Sequence, residues 1–338
     1  MPGPSYAEIV RPFRSLSGWV GLALDSVGGG DGTPPAVFHI YLDATDVGRK
    51  EPVTLSDDWN QLAGHLLEAA RLGAGDLTAP FEDALGALPG LLGGLTVRMH
   101  WMPPFRAAAG PVAGQLTSST AVSGQNHSGR VGFFANAPDT DGQVKTWMVS
   151  ANHVWALNGP PGTDLKARCV WVGDPGNLVG GNVTFLKLQP GQDNPIDAAA
   201  CVVDPGILDR NQLYGANFLS AAHLPGTGDR VQVLGTGSQG TVIWHPQSTF
   251  QVRYADAGMR LPDPVTFTGQ ILVEGAGADF TRDGDSGSLV VFANGQGENQ
   301  PVGLVIGQAA DEVSCHTLVT PVDAILQKLW PAGPGTLI

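Results

Sequence analysis

The sequence is poor in cysteine and in charged side chains. Its three cysteines, Cys169, Cys201 and Cys315, form no CxxC pair and are too few for a disulfide framework, which favours a reducing compartment. Charged residues make up only 14% of the 338 residues, and the formal net charge is −13. Because nucleic acids and anionic membranes are bound mainly through cationic side chains, neither is expected as a partner.

Long apolar runs are also missing from the sequence. No stretch approaches the roughly 20 apolar residues that a membrane-spanning helix needs. The N-terminal residues lack the charged-then-apolar pattern of a signal peptide. We therefore expect a cytoplasmic protein that does not associate with membranes.

Glycine and proline, in contrast, are abundant and spread along the chain. The 47 Gly and 26 Pro residues make up more than a fifth of it, well above the usual share. This composition favours short strands joined by turns over a helical bundle. From residue 117 onward about twelve strand-like runs follow one another, which predicts a mostly β domain over 117–338, either a pair of barrels or a sandwich. Only residues 321–330 show helical spacing there.

The first part of the chain has a mixed pattern. Strand-like runs at 18–25, 36–42 and 95–101 alternate with helical spacing at 56–73 and 81–88. Residues 1–116 are therefore predicted to form an N-terminal α+β extension.

Three segments in the β-rich part carry side chains that suit nucleophilic catalysis. A strand-like run ends in His153, Asp197 opens an apolar strand, and Ser286 lies between Gly284 and Gly287. A serine hydroxyl needs a neighbouring base, which a neutral histidine provides, and a buried aspartate holds that histidine in the required tautomer. The backbone N–H groups of Gly284 and Ser286 can bind the oxyanion of a tetrahedral intermediate.

Other residues near these segments have simpler explanations. Asp193 and Asp204 compete with Asp197, but both lie in turn-like sequence, whereas Asp197 begins an apolar strand. The GxGxxG pattern at 235–240 is followed by a strand-like run rather than a helix, which predicts a hairpin turn and not a dinucleotide site. Cys315, next to His316, is expected to be a buried structural thiol. The histidines show no metal-ligand spacing.

The three segments resemble those of trypsin-like (chymotrypsin-fold) serine proteases. The resemblance rests on Ser-Ala-Asn-His at 150–153, Ile-Asp-Ala-Ala at 196–199 and Gly-Asp-Ser-Gly-Ser at 284–288, in that order. It covers roughly residues 117–330. It implies two antiparallel six-stranded β-barrels, at about 117–210 and 211–320, followed by a C-terminal helix.

More narrowly, the sequence resembles the intracellular branch of that family found in bacteria and in plant narrow-leaf proteins. Members of this branch carry an α/β extension before the protease domain. Residues 88–99 resemble the end of that extension, and the histidine motif is closer to Ser-Asn-Asn-His than to the secreted Ala-Ala-His-Cys. This narrower resemblance implies a bacterial-type cytoplasmic enzyme.

The resemblance implies a serine endopeptidase that cleaves a protein or peptide substrate and needs no metal or organic cofactor. Ser286 is then the nucleophile, His153 the general base, and Asp197 the group that orients His153. The extension or a regulatory partner protein is expected to hold the enzyme latent or to regulate it. The alternative from another functional class is a catalytically quiet protease-fold module that serves as a binding scaffold.

Two further features concern activation and specificity. In secreted relatives a newly cut N-terminus pairs with the aspartate before the nucleophile, here Asp285, but no activation site is evident, so Asp285 needs another partner. Alignment with the family implies a substrate pocket with Phe280 at its base, or Asp279 after a one-residue shift. Gly307 and Gln308 are expected to form the opposite wall. A Phe at the base favours a small or medium apolar P1 residue.

Overall fold

A computed structural model describes the chain in segments. The described residues are 5–14, 16, 19–25, 37–44, 53–55, 87–88, 92, 95–107, 116–119, 126–155, 180–203, 221–234, 236–243, 247–254, 264–276, 280–293, 298–311 and 314–338. The helix predicted over 56–73 lies outside this set, as does that over 81–88 apart from its last two residues. Asp204, Cys169 and Asp279 also lie outside it.

Strands dominate the described residues, which confirms the prediction of a mostly β chain. The helices that lie wholly within the described residues are α1 (Tyr6–Phe13), α2 (Asn152–Trp155) and α3 (Val322–Leu329). The first ten strands are β1 (Trp19–Asp25), β2 (Val37–Asp43), β3 (Val53–Leu55), β4 (Thr96–Met102), β5 (Phe105–Arg106), β6 (Leu116–Ser119), β7 (Asn126–Gly129), β8 (Phe133–Pro138), β9 (Val144–Ser150) and β10 (Gly180–Phe185). The others are β11 (Asp193–Asn194), β12 (Ala199–Val203), β13 (Arg230–Val233), β14 (Gln239–Val242), β15 (Gln247–Arg253), β16 (Val265–Thr268), β17 (Ile271–Gly275), β18 (Leu289–Ala293), β19 (Asn299–Ala310), β20 (Cys315–Pro321) and β21 (Thr336–Leu337).

The chain divides into two compact units. The first comprises Met1–Phe105 together with His245–Val252, and the second comprises Arg106–Trp244 and Arg253–Ile338. In the first unit the strand order is β15-β1-β2-β4-β3, with β2 and β4 parallel and the other neighbours antiparallel. Helix α1 begins with a capping box between Ser5 and Glu8, and it buries Ile9, Val10 and Phe13 in the apolar core of this unit.

The second unit contains a closed barrel of six antiparallel strands. Its order is β13-β14-β17-β20-β19-β18, and β18 pairs with β13 to close it. Its interior is lined mainly by valines, such as Val231, Val273 and Val290. This arrangement confirms the prediction of a closed six-stranded barrel. The described residues 236–238 of the GxGxxG pattern lie in the turn that joins β13 to β14, where Gly237 has φ +72°, in agreement with the predicted hairpin.

The second unit also contains a five-stranded antiparallel sheet in the order β10-β12-β9-β8-β21 and a separate two-stranded sheet of β6 and β7. The core of the five-stranded sheet also contains the buried side of α3, with Val322, Ile325, Leu326 and Leu329. A second six-stranded barrel over 117–210 stays a prediction. None of the helices in the described part of the chain is long and apolar enough to cross a membrane.

Candidate active site

The register between β9 and β12 brings His153 and Asp197 together. Strand β9 ends at Ser150, which pairs with Ala199 of the antiparallel strand β12. Two residues beyond this pair, the chain reaches Asn152 on one side and Asp197 on the other, so Asp197 lies next to the short helix α2 that carries His153. The side chain of Asn152 donates a hydrogen bond to the Leu186 carbonyl (3.1 Å) and holds the start of that helix.

Asp197 contacts His153 through both of its carboxylate oxygens. Its Oδ2 lies 2.6 Å from His153 Nδ1, and its Oδ1 accepts a hydrogen bond from the His153 backbone N–H (3.2 Å). Both side chains are fully buried. A carboxylate can only accept hydrogen bonds, so Nδ1 is assigned as the protonated ring nitrogen, and Nε2 is left as an acceptor.

Ser286 completes a continuous chain of three side chains. Its Oγ lies 2.7 Å from His153 Nε2, on the side of the ring opposite Asp197. Ser286 lies in the loop between β17 and β18. The structure therefore places all three residues selected from the sequence within hydrogen-bond distance of one another in the order Asp197, His153, Ser286.

The loop around Ser286 requires glycine on both sides. Gly284 and Gly287 have φ angles of +96° and +83°, in the left-handed region that other residues rarely adopt. A Cβ atom at Gly287 would lie 2.2 Å from Ser150 Oγ and 2.4 Å from the Arg130 carbonyl oxygen. Both the conformation and the lack of space exclude a side chain there.

Two backbone N–H groups of this loop, on either side of Asp285, donate no hydrogen bond to a described residue. The N–H groups of Asp285, Gly287 and Ser288 donate to backbone carbonyls. Within the described residues, the N–H groups of Gly284 and Ser286 have no protein acceptor. Free amides flanking a hydroxyl are suited to bind a negatively charged oxygen.

Tyr254 is a contact of the site that the sequence analysis did not identify. Its hydroxyl donates a hydrogen bond to Asp197 Oδ2 (2.6 Å), and its ring packs edge-on against His153 with centroids 5.5 Å apart. Both contacts are buried. No motif surrounds Tyr254, which follows directly after β15, and only the tertiary fold brings it to Asp197, 57 positions earlier in the chain.

The partner of Asp285 is the side chain of Arg130. Its Oδ1 lies 3.0 Å from Arg130 Nε, and its Oδ2 accepts a hydrogen bond from the Arg282 backbone N–H (2.9 Å). The competing candidate Asp193 is exposed in β11 and is not a partner of His153.

The predicted pocket residues lie in different surroundings. Phe280 is buried in the apolar core of the barrel, and Asp279 lies outside the described residues. Gln308 is buried and donates a hydrogen bond from Nε2 to Asp283 Oδ1 (2.9 Å), while Gly307 lies at an irregularity in the pairing of β19 with β20. Their role in substrate preference stays a prediction.

No group of three or more possible metal ligands occurs in the part of the chain that the structure describes.

Comparisons with known proteins find similarity only at the level of solved structures. Neither a protein-family model nor a curated protein matches this chain. The NS6 protease of murine norovirus 1 is 16% identical, with 52% of this chain and 80% of that chain covered and a TM-score of 0.26. An inactivated protease paralogue of the scabies mite is 13% identical, with 55% and 87% covered and a TM-score of 0.26. At these TM-scores the similarities carry no argument about this chain.

Proposed function

We propose that this protein is a serine endopeptidase of the trypsin-like type. The observation that carries the proposal is the buried chain of hydrogen bonds from Asp197 through His153 to Ser286. The same three residue types, connected in the same order, activate a serine hydroxyl toward acyl groups on unrelated folds. The assignment to the intracellular, bacterial-type branch rests on the sequence motifs alone.

The first half-reaction forms an ester on the enzyme. Ser286 Oγ attacks the carbonyl carbon of the scissile peptide while its proton moves to His153 Nε2, and the carbonyl electron pair moves onto oxygen. The N–H groups of Gly284 and Ser286 bind that oxyanion. When the intermediate collapses, the C–N bond breaks, and the leaving amine takes the proton from Nε2.

The second half-reaction regenerates the enzyme. Water attacks the acyl ester and gives a proton to His153 Nε2, and the bond to Ser286 Oγ then breaks as that oxygen is reprotonated. Asp197 stays an anion throughout and stabilises the positive charge that forms on the imidazole ring. Its three hydrogen bonds, two from His153 and one from Tyr254, fix its position.

Covalent labelling tests the proposed nucleophile. A fluorophosphonate probe is expected to label the native protein at Ser286, and Ser286→Ala should abolish the label. The matched control is Ser288→Ala, because the Ser288 hydroxyl is buried and has no hydrogen-bond partner among the described residues. A latent enzyme opens transiently and should label slowly. Labelling that survives Ser286→Ala, or a folded native protein that never labels even after prolonged incubation, would therefore favour the alternative of a catalytically quiet binding module.

Regulation by the extension or by a partner protein is a second part of the proposal. Ser286 and His153 have no solvent-accessible surface, so a substrate can reach Ser286 Oγ only after covering residues move. Burst titration of the intact chain with an activated ester counts the accessible sites. A burst well below one site per chain supports latency, whereas a full burst with both ester and protein substrates contradicts it.

A further inference from the structure

Two strands border the Ser286 loop from opposite sides within the second unit. On one side the Gly287 N–H donates a hydrogen bond to the Val305 carbonyl (2.8 Å), so the middle of β19 lies beside the loop. On the other side the Arg130 N–H, directly after β7, donates to the Ser286 carbonyl (2.8 Å). The edge of a strand presents a row of backbone donors and acceptors, to which an extended polypeptide can bind as an added strand. The edges of β19 and β7 could therefore hold a polypeptide across Ser286.

The edge of β19 is occupied by another segment of this chain. On the side of β19 away from β20, beyond the part that pairs with β18, Arg106 of β5 pairs antiparallel with Gln308. Gln308 is three residues beyond Val305, about 10 Å along an extended strand. The residue after β5, Ala107, donates its N–H to the Arg253 carbonyl (3.1 Å), which fixes the end of this strand.

The edge of β7 is occupied in the same way by β6. In this antiparallel pair Leu116 lies opposite Gly129, and Ser119 lies opposite Asn126. Gly129 is close to Ser286, because a Cβ atom on it would lie 2.7 Å from the Ser286 carbonyl oxygen. The backbone of β6 therefore begins one strand away from the backbone at Ser286.

The directions of β5 and β6 are those of a single polypeptide that passes Ser286. Because β5 is antiparallel to β19, its chain runs from the Gln308 end of that strand towards Val305 and the Ser286 loop. Because β6 is antiparallel to β7, its chain begins beside Gly129 and runs away from Ser286. Strand β5 precedes β6 in the sequence. The chain thus approaches Ser286 along one edge and leaves it along the other.

We propose that this chain inhibits itself through β5 and β6, which occupy as strands the two edges that a polypeptide substrate needs. The inference rests on the proposed function and names the contact that keeps the site closed. It agrees with the lack of solvent-accessible surface at Ser286 and His153. A polypeptide that reaches Ser286 has to displace these two strands, and an extended segment of substrate then takes their place.

A disulfide between β6 and β7 tests the inference. Thr117 and Ser128 lie opposite each other, and opposite residues of an antiparallel pair have a Cα separation of about 4.5–5.5 Å, which a disulfide can bridge. In Thr117→Cys/Ser128→Cys, oxidation should slow labelling of Ser286 by a fluorophosphonate on the order of 10- to 100-fold, because the bridge stabilises the paired strands. Dithiothreitol should restore the wild-type rate. The control, Arg230→Cys/Thr241→Cys, joins an exposed opposite pair of β13 and β14 and should label at the wild-type rate in both redox states.

Hydrogen exchange of the Ser286→Ala variant gives a readout that needs no catalysis. In an excess of carboxymethylated α-lactalbumin, an unfolded polypeptide, the amides of β6 should exchange faster, and those of β13 should be unchanged. Equal labelling rates of the oxidised and reduced Thr117→Cys/Ser128→Cys protein, or unchanged exchange of β6 in excess polypeptide, would overturn the inference. A wild-type protein that neither hydrolyses a small activated ester nor binds the fluorophosphonate after prolonged incubation contradicts the proposed function, and exchange of β6 then decides whether polypeptide displaces the strand.

Discussion

Replacing Tyr254 by Phe removes one hydroxyl from the site and leaves the aromatic ring in place. The lost hydrogen bond joins the Tyr254 hydroxyl to Asp197 Oδ2 (2.6 Å), the same oxygen that contacts His153 Nδ1. The edge-on packing of the ring against His153 is preserved in the variant. The substitution therefore isolates the contribution of a single buried donor.

The size of the effect follows from the type of bond. A hydrogen bond to a charged group contributes about 1.5–3 kcal/mol, and because Asp197 and Tyr254 are both fully buried, water cannot replace the donor. Asp197 keeps its two hydrogen bonds from His153, so we expect the lower part of this range. A loss of about 1.5–2 kcal/mol in transition-state stabilisation corresponds to a fall in kcat of roughly 10- to 30-fold. The free energy of unfolding should fall by a similar amount.

A matched variant separates positioning from general stability. Within the first unit, the Tyr6 hydroxyl donates a hydrogen bond to the Leu22 carbonyl (3.1 Å) and shares a second one with Thr249 Oγ1 (2.9 Å). Tyr6→Phe should therefore lower the unfolding free energy without changing kcat. In wild-type protein the proton on His153 Nδ1 should give a far-downfield NMR resonance, which Tyr254→Phe shifts and Tyr6→Phe does not. An unmoved resonance together with a kcat within twofold of wild type would refute the reasoning.

Other predictions concern the loop, the aspartate, the surface and the substrate. Gly287→Ala should give an inactive protein with a lowered melting temperature, because the new Cβ would meet Ser150 Oγ and the Arg130 carbonyl within 2.4 Å; a wild-type ester hydrolysis rate would contradict this. Asp197→Asn should lower kcat by several orders of magnitude while leaving circular dichroism unchanged, because an amide no longer requires a proton on His153 Nδ1. The hydrogen bond from Lys145 and that from the Thr140 N–H lower the pKa of Asp139. Its stabilising contribution is then complete above the ordinary carboxyl pKa near 4 and is lost as the pH falls through the lower folded value, and in urea titrations Lys145→Met should reduce this acid dependence. A peptide library varied at P1 should return small or medium apolar residues, and strict cleavage after Arg or Lys would contradict that preference.

The strand pattern and the three reactive segments could be predicted because they depend on local chemistry. Alternating apolar residues and frequent Gly and Pro indicate strands and turns wherever they occur. His153, Asp197 and Ser286 stood out since each is a polar residue at the end or start of an apolar strand. The positive φ angles of Gly284 and Gly287 likewise follow from a local requirement of the turn.

Other features depend on contacts between distant parts of the chain. Strand β15 pairs with β1 in the first unit although more than 220 positions separate them, and nothing in residues 247–253 indicates that pairing. Tyr254 and Arg130 have ordinary sequence surroundings, and their roles come only from the groups that the fold places beside them. Phe280 lies in the apolar core of the barrel, and its role at the base of a substrate pocket stays a prediction.

By itself, the sequence determined the residue types able to perform acyl transfer and the mostly β character of the chain, since both follow from composition and short-range pattern. Only the tertiary structure decided which donors complete the site. Strand register placed Asp197 beside His153, and the packing of non-adjacent segments brought Tyr254 to Asp197 and Arg130 to Asp285. These partners matter because a buried carboxylate without a hydrogen-bond donor or an opposite charge raises the free energy of the folded state. That cost exists only once folding has removed the carboxylate from water.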